Sequence, residues 1–216
     1  EKDGLWSPDG KRVAYISDAG MQHTLVLRDQ AGLEKPQTFE LGKSGYFTLL
    51  AWAPGGKNIV YQDNHLNLYA ISLDRGSIKL IDHRKRRGNF SVAVSQDGRW
   101  LTYTIAGENL FNQIRIHDFT TGKSVTVTDG LSHADSPVFG GTDYLYFTAS
   151  INSGPVQVGL DMSSQERPVR DGIYALVLTS NGKSPFAPKS GDEEDKAAKD
   201  AAKDGPKDGA KDGAKD

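Results

Sequence analysis

The 216-residue sequence contains no cysteine. Disulfides, thiolate catalysis and cysteine-ligated zinc or iron–sulfur centres are thereby excluded, while the compartment stays open, because many exported bacterial proteins also lack cysteine. Long apolar runs are missing too. The longest, around Leu49-Leu50-Ala51-Trp52-Ala53-Pro54, falls well short of the roughly 18 to 20 residues that cross a bilayer as a helix. The expectation is a soluble segment with no membrane partner. Charge of one sign is also lacking, with 26 Lys and Arg against 28 Asp and Glu. Such a balance argues against coating nucleic acid or an acidic membrane. The first residues, Glu1-Lys2-Asp3-Gly4, offer neither an initiator methionine nor a basic-then-apolar leader, so the chain reads as a processed or excised piece.

Catalytic signatures are equally scarce. The five histidines, His23, His65, His83, His117 and His133, show no i,i+4 metal spacing, and no His-Glu-x-x-His occurs. There is no Gly-x-Ser-x-Gly nucleophile elbow and no phosphate-cradling glycine loop. The residues of this stretch point to no catalytic group, no metal site and no cofactor.

What is present is a repeat. A turn signature recurs as Ser7-Pro8-Asp9-Gly10, Ala53-Pro54-Gly55-Gly56, Ser95-Gln96-Asp97-Gly98 and, degraded, Val138-Phe139-Gly140-Gly141. The closing glycines lie 46, 42 and 43 residues apart, and five residues after each comes a tyrosine: Tyr15, Tyr61, Tyr103 and Tyr146. Proline at the second turn position presets φ, aspartate caps its own backbone, and glycine accepts the positive φ that follows a type I turn. After each turn runs an alternating β-branched and aromatic segment, such as Arg12-Val13-Ala14-Tyr15-Ile16 or Trp100-Leu101-Thr102-Tyr103, which marks a half-buried strand. A third run (Leu25-Val26-Leu27, Leu68 to Ile71, Ile114 to Ile116) ends in an Asp/Gly turn, and a weaker fourth closes the unit.

Four-stranded antiparallel meanders every 42 to 46 residues, without intervening helices, predict an all-β fold, a partial β-propeller of about four blades. The blades fall near residues 1–43, 44–86, 87–131 and 132–188. Trp6, Trp52, Trp100 and the tyrosine series are expected to fill the space between neighbouring blades. In the fourth unit a long connection, 149–171, separates Tyr144–Thr148 from Gly172–Leu178, and no fourth strand follows. The last blade is expected to be incomplete, its closing strand lying upstream of Glu1, and the segment to fold poorly by itself. Residues 189–216 hold 7 Lys and 9 Asp or Glu with almost nothing apolar, which predicts a disordered linker. Residues 1–188 keep 19 basic and 19 acidic side chains, a neutral body.

The sharpest charge feature is His83-Arg84-Lys85-Arg86-Arg87. One reading is a solvated loop on the propeller rim. The other makes Arg84, Arg86 and Arg87 a peptide- or partner-binding group, since guanidiniums hold carboxylates bidentately.

With these repeats, the chain resembles the tricorn protease family, and TolB-like propellers more broadly. The broad resemblance rests on Leu5-Trp6-Ser7-Pro8-Asp9-Gly10-Lys11-Arg12-Val13-Ala14-Tyr15, which is also found in prolyl-oligopeptidase-type propellers. The narrower one rests on Tyr174-Ala175-Leu176-Val177-Leu178 running through Ser184-Pro185-Phe186-Ala187-Pro188 into the charged linker, which looks like the end of the amino-terminal propeller of bacterial tricorn-like peptidases. The resemblance implies a substrate-access or domain-contact role for a serine peptidase whose catalytic residues lie elsewhere in the parent. It also implies peptides and other parent domains as partners, a homo-oligomeric parent and a cytoplasmic location. The alternatives are a non-enzymatic TolB-like propeller that binds a protein partner in the periplasm or outside the cell, and the propeller of a prolyl-oligopeptidase-type enzyme.

Overall fold

A computed structural model describes residues 2–20, 22–42, 45–152 and 170–187. The chain divides after Gly182, and the fold set out below belongs to the unit Glu1–Gly182. All regular structure among the described residues is β. The first sheet holds β1 (Lys2–Trp6), β2 (Arg12–Ser17), β3 (Thr24–Asp29) and β4 (Gln37–Glu40). The second holds β5 (Phe47–Trp52), β6 (Asn58–Asp63), β7 (Asn67–Ser72) and β8 (Ile78–His83). The third holds β9 (Val92–Val94), β10 (Trp100–Ala106), β11 (Asn112–Asp118) and β12 (Lys123–Thr126). The fourth has β13 (Ala134–Gly140), β14 (Tyr144–Ser150) and β15 (Asp171–Val177), and each sheet is an antiparallel meander in chain order.

The expected all-β propeller architecture is therefore present, with a last sheet of three strands among the described residues. The expected linker, and most of the 149–171 connection, lie outside the described residues.

The turn chemistry works as the residue types predict. Ser7 donates its hydroxyl to Asp9 Oδ1 at 2.6 Å, Lys11 N–H donates to the same oxygen, and Ser7 Oγ accepts from Arg12 N–H at 2.9 Å. Ser95, Asp97, Arg99 and Trp100 repeat this pattern at 2.5, 3.1 and 2.9 Å. In the second sheet, Ala53-Pro54-Gly55-Gly56 keeps only the backbone bonds of the same turn. Gly98 requires its lack of a side chain twice over, because φ is +72° and an added Cβ would lie 2.5 Å from the Pro54 carbonyl oxygen.

Neighbouring sheets touch through their first strands, β1 with β5, β5 with β9 and β9 with β13, so these line the inner edge. β1, β5 and β13 each carry a bulge, with Asp3 and Ser136 at positive φ within the first and last of them. A bulge adds twist, which suits a strand that must turn toward an axis. The four sheets enclose three apolar layers. Ile16, Leu25, Leu49, Trp52, Ile59 and Tyr61 fill the first layer, and Val60, Leu68, Leu101 and Tyr103 the second. Ile114, Ala134, Leu145 and Ala149 form the third and smallest.

The aromatic series fills the space between the sheets only in part. Tyr61 and Tyr103 are fully buried and Trp52 nearly so, each facing the preceding sheet. Trp6 is 59% exposed, and Tyr15 alternates with Ala14 and Ile16, which face the second sheet, so Tyr15 points away from it. Tyr146 fails for another reason. Trp52 pairs with Ile59 and Val94 with Leu101 across six-residue turns, whereas Phe139 pairs with Leu145 across five. One residue fewer moves each side chain to the opposite face of the strand. Leu145, Phe147 and Ala149 therefore face the third sheet, and Phe147 stands where the tyrosine does in the other sheets.

Candidate functional site

An antiparallel meander has two ends. The turn end carries the links between strands one and two and between strands three and four. The connection end carries the second hairpins and the passages from sheet to sheet. The cationic loop lies at the connection end, directly after β8.

The structure separates its arginines. Arg84 is 4% exposed and donates to the Asn89 carbonyl and, at 3.3 Å, to Asn112 Oδ1, with its guanidinium 5.2 Å from the Phe90 ring. Burial pulls its pKa below the usual arginine range, and Asp135 opposes that shift. Its Nε has no hydrogen-bond partner among the described residues. Arg84 thus reaches from the second sheet into the third and braces the loop. Arg86 and Arg87 are exposed and form no ion pair with a described residue, while Lys85 meets Glu108 at 3.2 Å. Arg86 lines an open cleft with Lys85, Ala106 and Glu108, and Lys85 and Glu108 also line a polar cleft of about 580 Å³ with Asp82, His83, Gln113, Arg115 and Asp129, among others.

That cleft is floored by a network between the second and third sheets. Asp82 Oδ2 accepts the Tyr103 hydroxyl at 2.6 Å and Arg115 Nη1 at 2.7 Å. Burial first, and then this bond, push the Tyr103 hydroxyl well above the ordinary tyrosine range, so it stays a donor. His117 is buried beside Ser124 at 2.9 Å, and burial holds its pKa below the usual value. The other four histidines gather at the connection end, but each has its own neighbour: His23 the Gly45 carbonyl, His65 the Asp63 carboxylate, His83 the Asn67 side chain and His133 the Asn112 N–H. Among the described residues no three His, Asp or Glu side chains come together to hold a metal ion.

At the turn end lies a second cleft, which the sequence did not announce. It has a volume of about 470 Å³ and opens between the third and fourth sheets. Its walls are Trp100, Ile116, Val125, Val127, Phe139 and Leu178. The polar rim includes Asp97, Asp118 and Lys123. Both carboxylates are occupied: Asp97 by Ser95 and the Arg99 N–H, Asp118 by the Arg99 guanidinium at 2.9 Å and the Thr120 N–H at 2.8 Å. The Arg99 bond holds the Asp118 carboxyl far below the usual carboxylate range. A signal for this cleft existed only in the spacing of Trp100 and Phe139 against the repeat, and it requires the sheet-to-sheet geometry to be read.

Four propeller-type sheets, layered through their first strands, define a β-propeller domain. The model of the tricorn protease second β-propeller domain matches residues 1–214, and the chain belongs to that family. The family is the one the sequence resembles, and the matching domain is the second propeller, not the amino-terminal one to which the closing strand and linker pointed. A tricorn-like protease C-terminal subunit from Sulfurisphaera tokodaii is 28% identical over 137 residues, covering 62% of this chain and 16% of the relative. A solved structure of the tricorn protease superposes with a TM-score of 0.64 at 19% identity, over 82% of this chain and 18% of that one. A TolB-type protein from Agrobacterium tumefaciens superposes with a TM-score of 0.53 at 20% identity, over 83% of this chain and 65% of that one. The chain thus spans less than a fifth of the length of the tricorn-type proteins it matches.

Proposed function

We propose that this propeller domain controls substrate access, or contact with neighbouring domains, for peptide hydrolysis performed elsewhere in the parent protein. Family membership supplies the setting. The observation that carries the role is the pair of exposed guanidiniums, Arg86 and Arg87, which form no ion pair with a described residue, in the loop whose Lys85 lines the polar cleft at the connection end. Unpaired arginines on a rim attract carboxylates and steer acidic segments toward the cleft. Arg84 serves by holding the loop in place.

The test is binding of a fluorescent acidic peptide, such as a Glu-rich decapeptide, to the full-length protein. Replacing Arg86 and Arg87 with Ala is expected to weaken binding about tenfold at low salt, with the difference shrinking as salt is added. Equal binding by the wild type and the double variant would remove the role. Weakened peptide binding by the double variant of a full-length protein that hydrolyses no peptide would favour the non-enzymatic, partner-binding reading instead.

A further inference from the structure

In the first three sheets the third strand has a neighbour on each side, whereas in the fourth it is the edge. β15 pairs with β14 in unbroken register from Asp171 to Val177, and no described strand pairs with its other side. The hydrogen bonds at the two ends of this ladder fix its phase. Ile151 N–H donates to the Arg170 carbonyl and Leu178 N–H to the Asp143 carbonyl, each at 2.8 Å. Antiparallel ladders alternate, so Gly172, Tyr174 and Leu176 bond to β14, and Asp171, Ile173, Ala175 and Val177 turn their N–H and C=O groups to the open side.

This edge differs from the outer strands of the other sheets. β4 and β12 have four residues each, β12 begins with Lys123, and β8 carries Lys79 and an irregular register against β7. Short length, lysine and bulges keep an outer edge from recruiting another strand. β15 has seven residues, with no lysine, arginine, proline or bulge, and it leaves Ile173 75% exposed. It is built as an inner strand.

The path of the chain after β15 indicates what pairs there. In each of the first three sheets the fourth strand follows the third through a turn closed by a glycine N–H: Gly32 to the Asp29 carbonyl, Gly76 to Ser72 and Gly122 to Asp118. After β15 the same kind of turn forms, with Gly182 N–H on the Thr179 carbonyl at 3.1 Å, as Gly32 meets Asp29 at 3.1 Å. The sequence then enters the Lys- and Asp-rich stretch 189–216, which offers no β-branched or aromatic residue for a strand.

We propose that the open side of β15 takes a strand of the same parent chain from beyond Asp216, antiparallel to β15, so that the charged stretch is an insertion within a hairpin rather than a link between domains. Strands close in sequence pair preferentially, and a long insertion costs little, because loop-closure entropy grows only with the logarithm of loop length. The strand order of the three complete sheets favours this source over a strand from upstream of Glu1. The tricorn-type proteins have the length to supply it, since this chain spans less than a fifth of each.

The first test is hydrogen–deuterium exchange on the unmodified full-length protein, resolved to single residues by electron-transfer fragmentation. The amides of Ile173, Ala175 and Val177 are expected to exchange as slowly as those of Tyr174 and Leu176, about a hundredfold or more slower than the exposed Ser180 and Asn181. Fast exchange at the three would overturn the assignment. The second test identifies the partner: Tyr174→benzoylphenylalanine, at a site 43% exposed, is photoactivated in the full-length protein and the products are read by mass spectrometry. A crosslink to a segment following Asp216 in the same molecule is expected, and mixing isotope-labelled with unlabelled protein separates it from a second copy. A crosslink to a segment upstream of Glu1 or to a second copy, or none beyond Asp216 in the folded variant, would overturn the assignment. Neither readout depends on Arg86 and Arg87, so this assignment and the access reading fail separately.

Discussion

Removing the Tyr103 hydroxyl tests whether a single buried bond ties the second sheet to the third. Tyr103 is fully buried on β10 and donates to Asp82 Oδ2 on β8 at 2.6 Å. Tyr103→Phe keeps the ring, and so the apolar layer with Val60, Leu68 and Leu101, but deletes the donor. A hydrogen bond to a charged acceptor contributes about 1.5–3 kcal/mol. Asp82 keeps Arg115 at 2.7 Å, so the carboxylate is not stranded and the loss belongs near the lower bound, about 1.5–2 kcal/mol. With a urea m-value of about 2 kcal/mol/M, the unfolding midpoint should fall by somewhat under 1 M with m unchanged. Asp82→Asn should cost more, because it also leaves Arg115 without its carboxylate. In the double variant the two losses should fall short of additivity by about 1 kcal/mol or more. A loss below about 0.5 kcal/mol for Tyr103→Phe, or strict additivity, would refute the view that this bond couples the sheets.

Two further outcomes follow from named contacts. Gly98→Ala places a methyl group 2.5 Å from the Pro54 carbonyl oxygen, whereas Gly10→Ala, at nearly the same φ, meets nothing within 4 Å. The second should cost only the left-handed backbone term, about 1–2 kcal/mol, and the first distinctly more, as thermal melting of the two variants will show. Stability should fall in two stages on acidification. His117 has a depressed pKa in the fold, so the unfolded chain takes up its proton first, and stability begins to drop below about pH 6.5. Asp9, Asp29, Asp97 and Asp118 are also depressed, so their contribution is complete above about pH 4 and is lost as pH falls through their lower folded values. His117→Gln should remove the first stage and leave the second in urea titrations across pH.

Much of the fold is legible in particular residues. Ser7, Asp9 and Gly10, and their counterparts Ser95, Asp97 and Gly98, mark turns because side chain and backbone satisfy each other within six residues, which is information a local sequence carries. Tyr61 and Tyr103 lie between sheets as their repeat position requires. Tyr146 kept the spacing but lost the face, since the fourth turn is one residue shorter and strand register has a period of two. Arg84 reads as one more charge in a basic run, yet it turns inward onto Phe90 as soon as β8 ends. The turn-end cleft was hidden for a different reason. Trp100 and Phe139 are 39 residues apart, and only the stacking of sheets places them on facing walls.

The central claim is that this propeller governs peptide passage or docking rather than hydrolysis itself. It is tested most directly by cleavage measured on the full-length protein with two substrates: a short uncharged chromogenic peptide, and an acidic peptide of about twenty residues. Replacing Arg86 and Arg87 with Ala should lower kcat/KM for the long peptide severalfold and leave the short one unchanged. An equal effect on both substrates, or none on either, would contradict the account.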